Sequence, residues 1–235
     1  MDQLEEGMWW YTGLHAHLIF CLRQALTDSK NALVLDAGCG TGGFLRIVAQ
    51  DMPECRAVGL DAEEGACVSA RAKSRRPTCV GSVNVLPFGK NVFGVIVSAD
   101  VLCHRSVDDA QALLNFNRCL TSGGTLVLNL PAYQWLYSAH DRAVYTSRRY
   151  TRTRLHELLQ AAGFARIKTT YWNTFLFPLM VLRRMLTRRR DGSDVIRYPI
   201  PVDLTFRALM RLESILLRRG FTLPFGGSVL AVAVK

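Results

Sequence analysis

Residues 34–43 read Val34-Leu35-Asp36-Ala37-Gly38-Cys39-Gly40-Thr41-Gly42-Gly43. The apolar run Ala32 to Leu35 leads into an acid. Four glycines then crowd together, and Phe44-Leu45-Arg46-Ile47-Val48-Ala49 follows with helical spacing. The pattern is strand, tight loop, helix N-terminus. Glycines in such a loop let backbone N–H groups and the positive end of a helix approach a ligand that side chains would otherwise block. Nucleotide-binding α/β sheets start this way.

Working outward, strands and helices alternate. Strands are expected at 32–36, 57–61, 78–83, 92–99, 125–130, 164–172 and 229–234, and helices at 42–50, 63–73, 108–120 and 151–162. Residues 92–99 form a near-continuous apolar run, as a parallel strand buried on both faces requires. Repeated alternation means parallel strands joined by right-handed crossovers. Thr151 is placed to cap its helix and Gly163 to stop it. The expected fold is α/β: a Rossmann-like, doubly wound, seven-stranded sheet, mostly parallel with an antiparallel last strand. One domain spans 1–235. It divides into an N-terminal helical segment at 1–30, a core at 31–172, a helical cap at 173–224 inserted before the last strand, and a final strand at 225–235. The stretch between the last two strands is too long for a structureless loop.

Composition bounds the class. The chain has 235 residues, 49% hydrophobic and 20% charged, which suits one globular domain. Its net charge of +10 is uneven. Residues 1–141 hold 11 Lys and Arg against 14 Asp and Glu, and residues 142–235 hold 18 against 5. A basic half attracts phosphates. The seven cysteines include no Cys-x-x-Cys and no zinc spacing, so no metal is expected, and a reducing cytoplasm fits. The acidic start, Met1-Asp2-Gln3-Leu4-Glu5-Glu6, does not read as a signal peptide.

Gly38-x-Gly40-x-x-Gly43 also matches the dinucleotide fingerprint, which alone is weak. Asp36 separates the options. A carboxylate beside the loop repels a pyrophosphate but suits a ligand bearing an ammonium and a sulfonium, such as S-adenosylmethionine (SAM). Asp61, ending Val58-Gly59-Leu60-Asp61, is placed to accept hydrogen bonds from ribose hydroxyls.

These residues resemble motif I of the class I SAM-dependent methyltransferases, Asp-x-Gly-x-Gly-x-Gly. The resemblance continues in order. Gly81 to Phe88 is similar to the adenine loop, Phe93 to His104 to the fourth strand and its turn, and Ser122 to Leu126 to the turn before strand five. Departures occur at Ser82, where the family usually has an acid, and at Gly94 and Cys103. The resemblance implies SAM as cofactor, held by Asp36, Gly38, Cys39, Gly40, Gly42, Asp61, Ala62, Ser82, Val83 and Ser98.

The segment Pro131-Ala132-Tyr133-x-Trp135-Leu136-x-Ser138-x-His140-Asp141 resembles a bacterial type 11/12-like subgroup. So do Glu6-x-x-Trp9-Trp10-Tyr11 near the start and Leu223-Pro224-Phe225-Gly226 near the end. Members of that subgroup resemble tailoring enzymes for saccharides, lipids or secondary metabolites.

Methyl transfer needs alignment, and a hydroxyl acceptor gains from a base. His104 and His140 are the candidate catalytic residues. His15 and His17 are expected on a helix surface. Trp10, Tyr133 and Trp135, with Trp9, are expected to wall an apolar acceptor pocket. The expected acceptor is a small molecule, saccharide or lipid-linked group, methylated at oxygen. An RNA methyltransferase and a non-catalytic SAM-fold scaffold are the alternatives, though no RNA-binding module is recognisable. In the cap, the apolar run Phe175 to Leu182 is followed by Arg183, Arg184, Arg188, Arg189 and Arg190. An apolar segment flanked by arginines suits a peripheral membrane contact through 175–190, at the inner face of the membrane.

Overall fold

A computed structural model describes residues 8–27, 31–186 and 199–235. One helix, α1 (Trp9–Ala25), precedes the sheet. Then follow β1 (Leu33–Ala37), α2 (Gly43–Asp51), β2 (Arg56–Asp61), α3 (Glu64–Ser74), β3 (Thr78–Val80), β4 (Phe93–Ala99), α4 (Asp109–Cys119) and β5 (Leu120–Pro131). A short helix α5 (Ala139–Ala143), then α6 (Arg152–Ala161) and β6 (Ala165–Trp172), lead to the cap helices α7 (Phe177–Leu186) and α8 (Ile200–Arg218), and β7 (Ser228–Val234) ends the chain.

The seven strands lie in the order β3-β2-β1-β4-β5-β7-β6. All neighbours are parallel except β7, which runs antiparallel to both β5 and β6. The expected doubly wound sheet with an antiparallel last strand is therefore present. The order reverses at β1, so the crevice at the carboxyl ends of β1 and β4 is where such sheets bind ligands.

Strand alternation sends two sets of apolar side chains to two layers. Leu35, Ile96, Leu126 and Leu128 pack with Phe116 of α4 and Leu155 and Leu159 of α6. Val34, Val95 and Val127 pack with Leu18 and Leu22 of α1, Leu45 and Val48 of α2, and Phe206 and Met210 of α8. Thr151 caps α6 as expected, its Oγ1 accepting from the Arg154 N–H.

Several expectations need correction. Ser122-Gly123-Gly124 is not a turn that precedes strand five. Strand β5 begins at Leu120 and the pairing jumps from Phe93–Leu120 to Val95–Thr125, so these residues loop out within it, with Gly123 at φ +75°. Strand β3 stops at Val80 because Ser82 and Val85 close a turn. His17 is not on the surface: it is 2% exposed, edge-on to Trp172, with centroids 5.1 Å apart. His15 is half-buried against Phe44. Burial, and secondarily the charges of Arg46 and Arg218 respectively, lower the pKa of each histidine to about 4. Leu212 is exposed, because α8 packs through Phe206, Met210, Glu213 and Ser214. Arg188, Arg189 and Arg190 lie outside the described residues. Among the described residues, no helix is long and apolar enough to cross a membrane, and no cluster of metal-ligating side chains occurs.

Candidate cofactor and acceptor site

The glycine loop sits at the carboxyl end of β1 and is tied to its neighbours. The Gly38 and Cys39 N–H groups both donate to the Leu60 carbonyl, at 2.7 and 2.9 Å. The Ser98 hydroxyl donates to the Ala37 carbonyl at 2.8 Å, so this predicted cofactor residue fastens β4 to the base of the loop. Gly38 and Gly42 both have φ +85°. A Cβ on Gly38 would lie 2.1 Å from Val101 Cγ2, and one on Gly42 would lie 2.6 Å from the Ala70 Cα. Gly40, at φ +52°, would meet nothing within 4 Å. Its backbone faces open space, as a loop that cradles a ligand requires. The Cys39 side chain turns inward beneath the loop, against the position a Gly59 Cβ would take.

Two acids flank the loop. Asp61, at the end of β2, accepts from the Gly40 N–H at 2.9 Å and the Glu63 N–H at 3.0 Å, one bond to each oxygen. Each oxygen keeps a lone pair for a hydroxyl. Asp36 is 4% exposed, and its Oδ2 has no hydrogen-bond partner among the described residues. Burial first, and then the charge of Asp61, raise the Asp36 pKa to about 7. A buried carboxylate left without a donor is what a cationic ligand completes. The orphaned oxygen, the bare Gly40 backbone and the half-buried Asp61 carboxylate together fit SAM. Ala62 follows Asp61 at the surface. Ser82 is exposed on the next turn, its hydroxyl accepting from the Asn84 N–H at 3.2 Å, above a buried Val83. A cavity of about 320 Å³ between α1 and α2, lined by His15, Arg23, Arg46, Lys73 and Arg218 among others, lies behind the loop. It meets the loop region at Gly43 and includes none of the residues expected to hold SAM.

His104 follows β4 and is half-buried. Burial lowers its pKa, opposed by the Asp61 carboxylate and then by the Asp100 backbone. His104 therefore lies within electrostatic reach of Asp61. Thr146 pairs with it across a bridge, which draws the loop at 131–150 over the end of β4.

Residues that were not singled out in the sequence stand beside it. Asp100 has φ +56°, and both its carboxylate oxygens accept from Asn129 Nδ2, at 3.1 and 3.2 Å. Trp172 Nε1 donates to Asn129 Oδ1 at 2.6 Å. Burial raises the Asp100 pKa to about 7, against the Asn129 bond and the Arg149 charge. The signal for Asn129 was present in the sequence: a polar amide inside an apolar strand needs a partner.

His140 lies on α5, half-buried. Its neighbour Asp141 is committed elsewhere. Arg149 binds Asp141 Oδ1 through Nε at 2.9 Å and Nη2 at 2.8 Å, and the Ser138 N–H and hydroxyl bind Oδ2. Arg184 Nη1 lies 3.8 Å from the same Oδ2, so the Asp141 carboxylate serves to hold this loop together.

The aromatic residues fall into two groups. Trp10 stacks on Trp172, with centroids 5.7 Å apart. Tyr133 stacks on Tyr171 at 5.1 Å and lies 5.7 Å from Trp135. Tyr171 and Trp172 are successive in β6 and face opposite layers. Trp10 and the Tyr133–Trp135 pair therefore do not wall one pocket. The second group continues through Phe177 to Phe225.

Residues 35–128 match the family model described as a methyltransferase domain. That segment belongs to the methyltransferase-domain family. Among its relatives, a probable tRNA methyltransferase 9B of Mus musculus is 29% identical over 136 residues, covering 57% of this chain and 28% of that protein. The chain spans about half the length, or less, of three curated relatives, the mouse protein among them. Solved structures share the fold. A putative methyltransferase of Haloferax volcanii, in complex with the Trm112 activator, matches with TM-score 0.64 and 20% identity, over 99% of this chain and 91% of that one. Phosphoethanolamine N-methyltransferase 2 of Haemonchus contortus, bound to phosphomonomethylethanolamine and S-adenosylhomocysteine, matches with TM-score 0.59 and 16% identity, over 87% of this chain and 49% of that one. SAM is the cofactor that a methyltransferase domain uses.

Proposed function

We propose that this methyltransferase carries a methyl group from SAM to a hydroxyl oxygen of a small, saccharide or lipid-linked acceptor. The observation that carries the reading is His104, a histidine whose pKa is lowered by burial at the carboxyl edge, beside Asp61. SAM, when bound, supplies an electrophilic methyl group. The chain supplies alignment and a proton acceptor. In this reading Asp36 faces the ammonium and sulfonium end of SAM, the glycine backbone lies along it, Asp61 takes the ribose hydroxyls, and Ser82 and Val83 meet the adenine.

His104, neutral at physiological pH, receives the hydroxyl proton as the oxygen bonds to carbon. His140, on the short helix α5, is the second candidate for that role. Tyr133 and Trp135, with Phe177 and Phe225, hold the apolar part of the acceptor, while Trp10 shapes the opposite layer through Trp172. The buried free thiols support a reducing, cytoplasmic setting.

S-adenosylhomocysteine release in the presence of lipid-linked saccharides tests this. His104→Gln is expected to lower kcat with SAM affinity unchanged. An unchanged kcat would remove His104 as base. The name of the mouse relative favours a second reading, RNA methylation, which a salt-sensitive gel shift with tRNA would support and methylation of a lipid-linked acceptor without RNA binding would overturn.

A further inference from the structure

Helix α7 is amphipathic in the wrong sense for a protein surface. Its outward residues, continuing from the preceding turn, are Phe175, Pro178, Leu179, Leu182 and Met185, at spacings of three and four that make one face. A solvated helix carries polar residues there. Phe175 is 40% exposed, Leu179 49%, Leu182 55% and Met185 68%. Two other segments extend this face around the first turn of α7. Trp135, 58% exposed, lies edge-on to Phe177, and Phe225, 41% exposed, lies 5.6 Å from the same ring. Several large apolar side chains left exposed on one short helix, with two exposed aromatics packed at its first turn, mark an interaction site.

The chemistry around it identifies the partner. Residues 173–224 contain ten arginines and four acids. Two of those acids are already engaged. Asp203 pairs with Arg207, and Glu213 is buried beneath the N–H groups of Asn173, Thr174 and Phe175. Arg183 and Arg184 lie in the last turn of α7, and Arg184 turns inward, bonding the Leu136 carbonyl and pairing with Asp141, which ties α7 to the loop that carries Tyr133 and Trp135. An exposed apolar helix face within an arginine-rich stretch of sequence, on a helix too short to span, matches the interface of an anionic bilayer.

We propose that the outward face of α7, with Trp135 and Phe225, docks this protein on an anionic lipid surface, bringing the aromatic edge of the acceptor site to the membrane. The proposal does not depend on which acceptor is methylated, and SAM binding, measured alongside, separates its failure from that of the cofactor reading.

Co-sedimentation of the full chain with phosphatidylcholine vesicles, with and without phosphatidylglycerol, provides the test. Wild type is expected to pellet with the anionic vesicles, less at high salt. Replacing Leu179, Leu182 and Met185 with Glu, all exposed so that folding and SAM affinity persist, is expected to weaken that binding about tenfold or more. Two results would overturn the proposal. One is wild type left in the supernatant at low salt, including the case in which velocity sedimentation shows that this face joins two copies instead. The other is a folded triple variant that pellets as well as wild type.

Discussion

Asp36 carries most of the electrostatic content of the cofactor site. Its pKa rises from 3.8 to about 7 on folding. The folded state therefore holds the proton more tightly. The stability from this group is fully present below pH 3.8 and is lost as pH rises through about 7. A cationic ligand prefers the ionised carboxylate, so SAM affinity is expected to rise with pH, by at most about tenfold per unit, and to level off above pH 7. Titration calorimetry across that range checks this, with Asp36→Asn expected to flatten the dependence; a flat wild-type profile would contradict it. The glycines separate two effects. Gly42→Ala forces a methyl group onto Ala70 and is expected to lower stability by about 1–3 kcal/mol. Gly40→Ala meets no atom, so it is expected to cost about 1–2 kcal/mol from its backbone angle while obstructing SAM. Thermal melts with and without SAM distinguish the two. The positions of Asp36 and Asp61 beside the loop were legible in the sequence because each lies at the carboxyl end of an apolar strand. Asp100 was not: its role rests on Asn129 and Trp172, residues 29 and 43 positions apart from their partners.

Elements were readable where periodicity was strong and misread where tertiary contacts chose the register. Helix α8 shows this. Its leucines suggest a core stripe through Leu212, yet the buried face runs through Glu213, which is 0% exposed. That carboxylate caps the N–H groups of Asn173, Thr174 and Phe175 as the chain leaves β6 for the cap. Such a cap cannot be seen in sequence, because its partners lie about forty positions away. Glu213→Ala leaves these donors buried and unpaired, and is expected to destabilise the protein by roughly 1–3 kcal/mol or more. Denaturant unfolding measures the loss, and stability equal to wild type would remove the role. The loop at 131–150 depends similarly on Arg149. Its guanidinium pairs with Asp141 and bonds the Ala132 carbonyl at 2.9 Å. Arg149→Met strands a buried charge and is expected to cost about 3–5 kcal/mol. That pairing, between residues eight positions apart, could not be read from the sequence.

At the scale of the whole molecule, alternating apolar strands and helices make the doubly wound sheet legible, and the motifs at 34–43 and 58–61 place its ligand crevice. Less legible was how the cap returns to the sheet. β7 enters between β5 and β6 and pairs along its length with both, so Trp172 and Tyr171 face opposite layers and divide the aromatic residues into two groups. Likewise α1 packs along α8, which buries His17 among Trp172 and the apolar residues of that layer. The uneven charge was plain in composition, but only the fold shows that the exposed apolar face of α7 lies beside it. The account rests on SAM binding at the carboxyl edge, with Asp61 holding its ribose. Titration calorimetry of SAM into wild type and Asp61→Ala tests that most directly. Wild type is expected to bind, and the folded variant to bind about tenfold or more weakly, a loss of roughly 1.4 kcal/mol or more. Equal affinity in the two folded proteins, or no binding by wild type at saturating SAM, would contradict it.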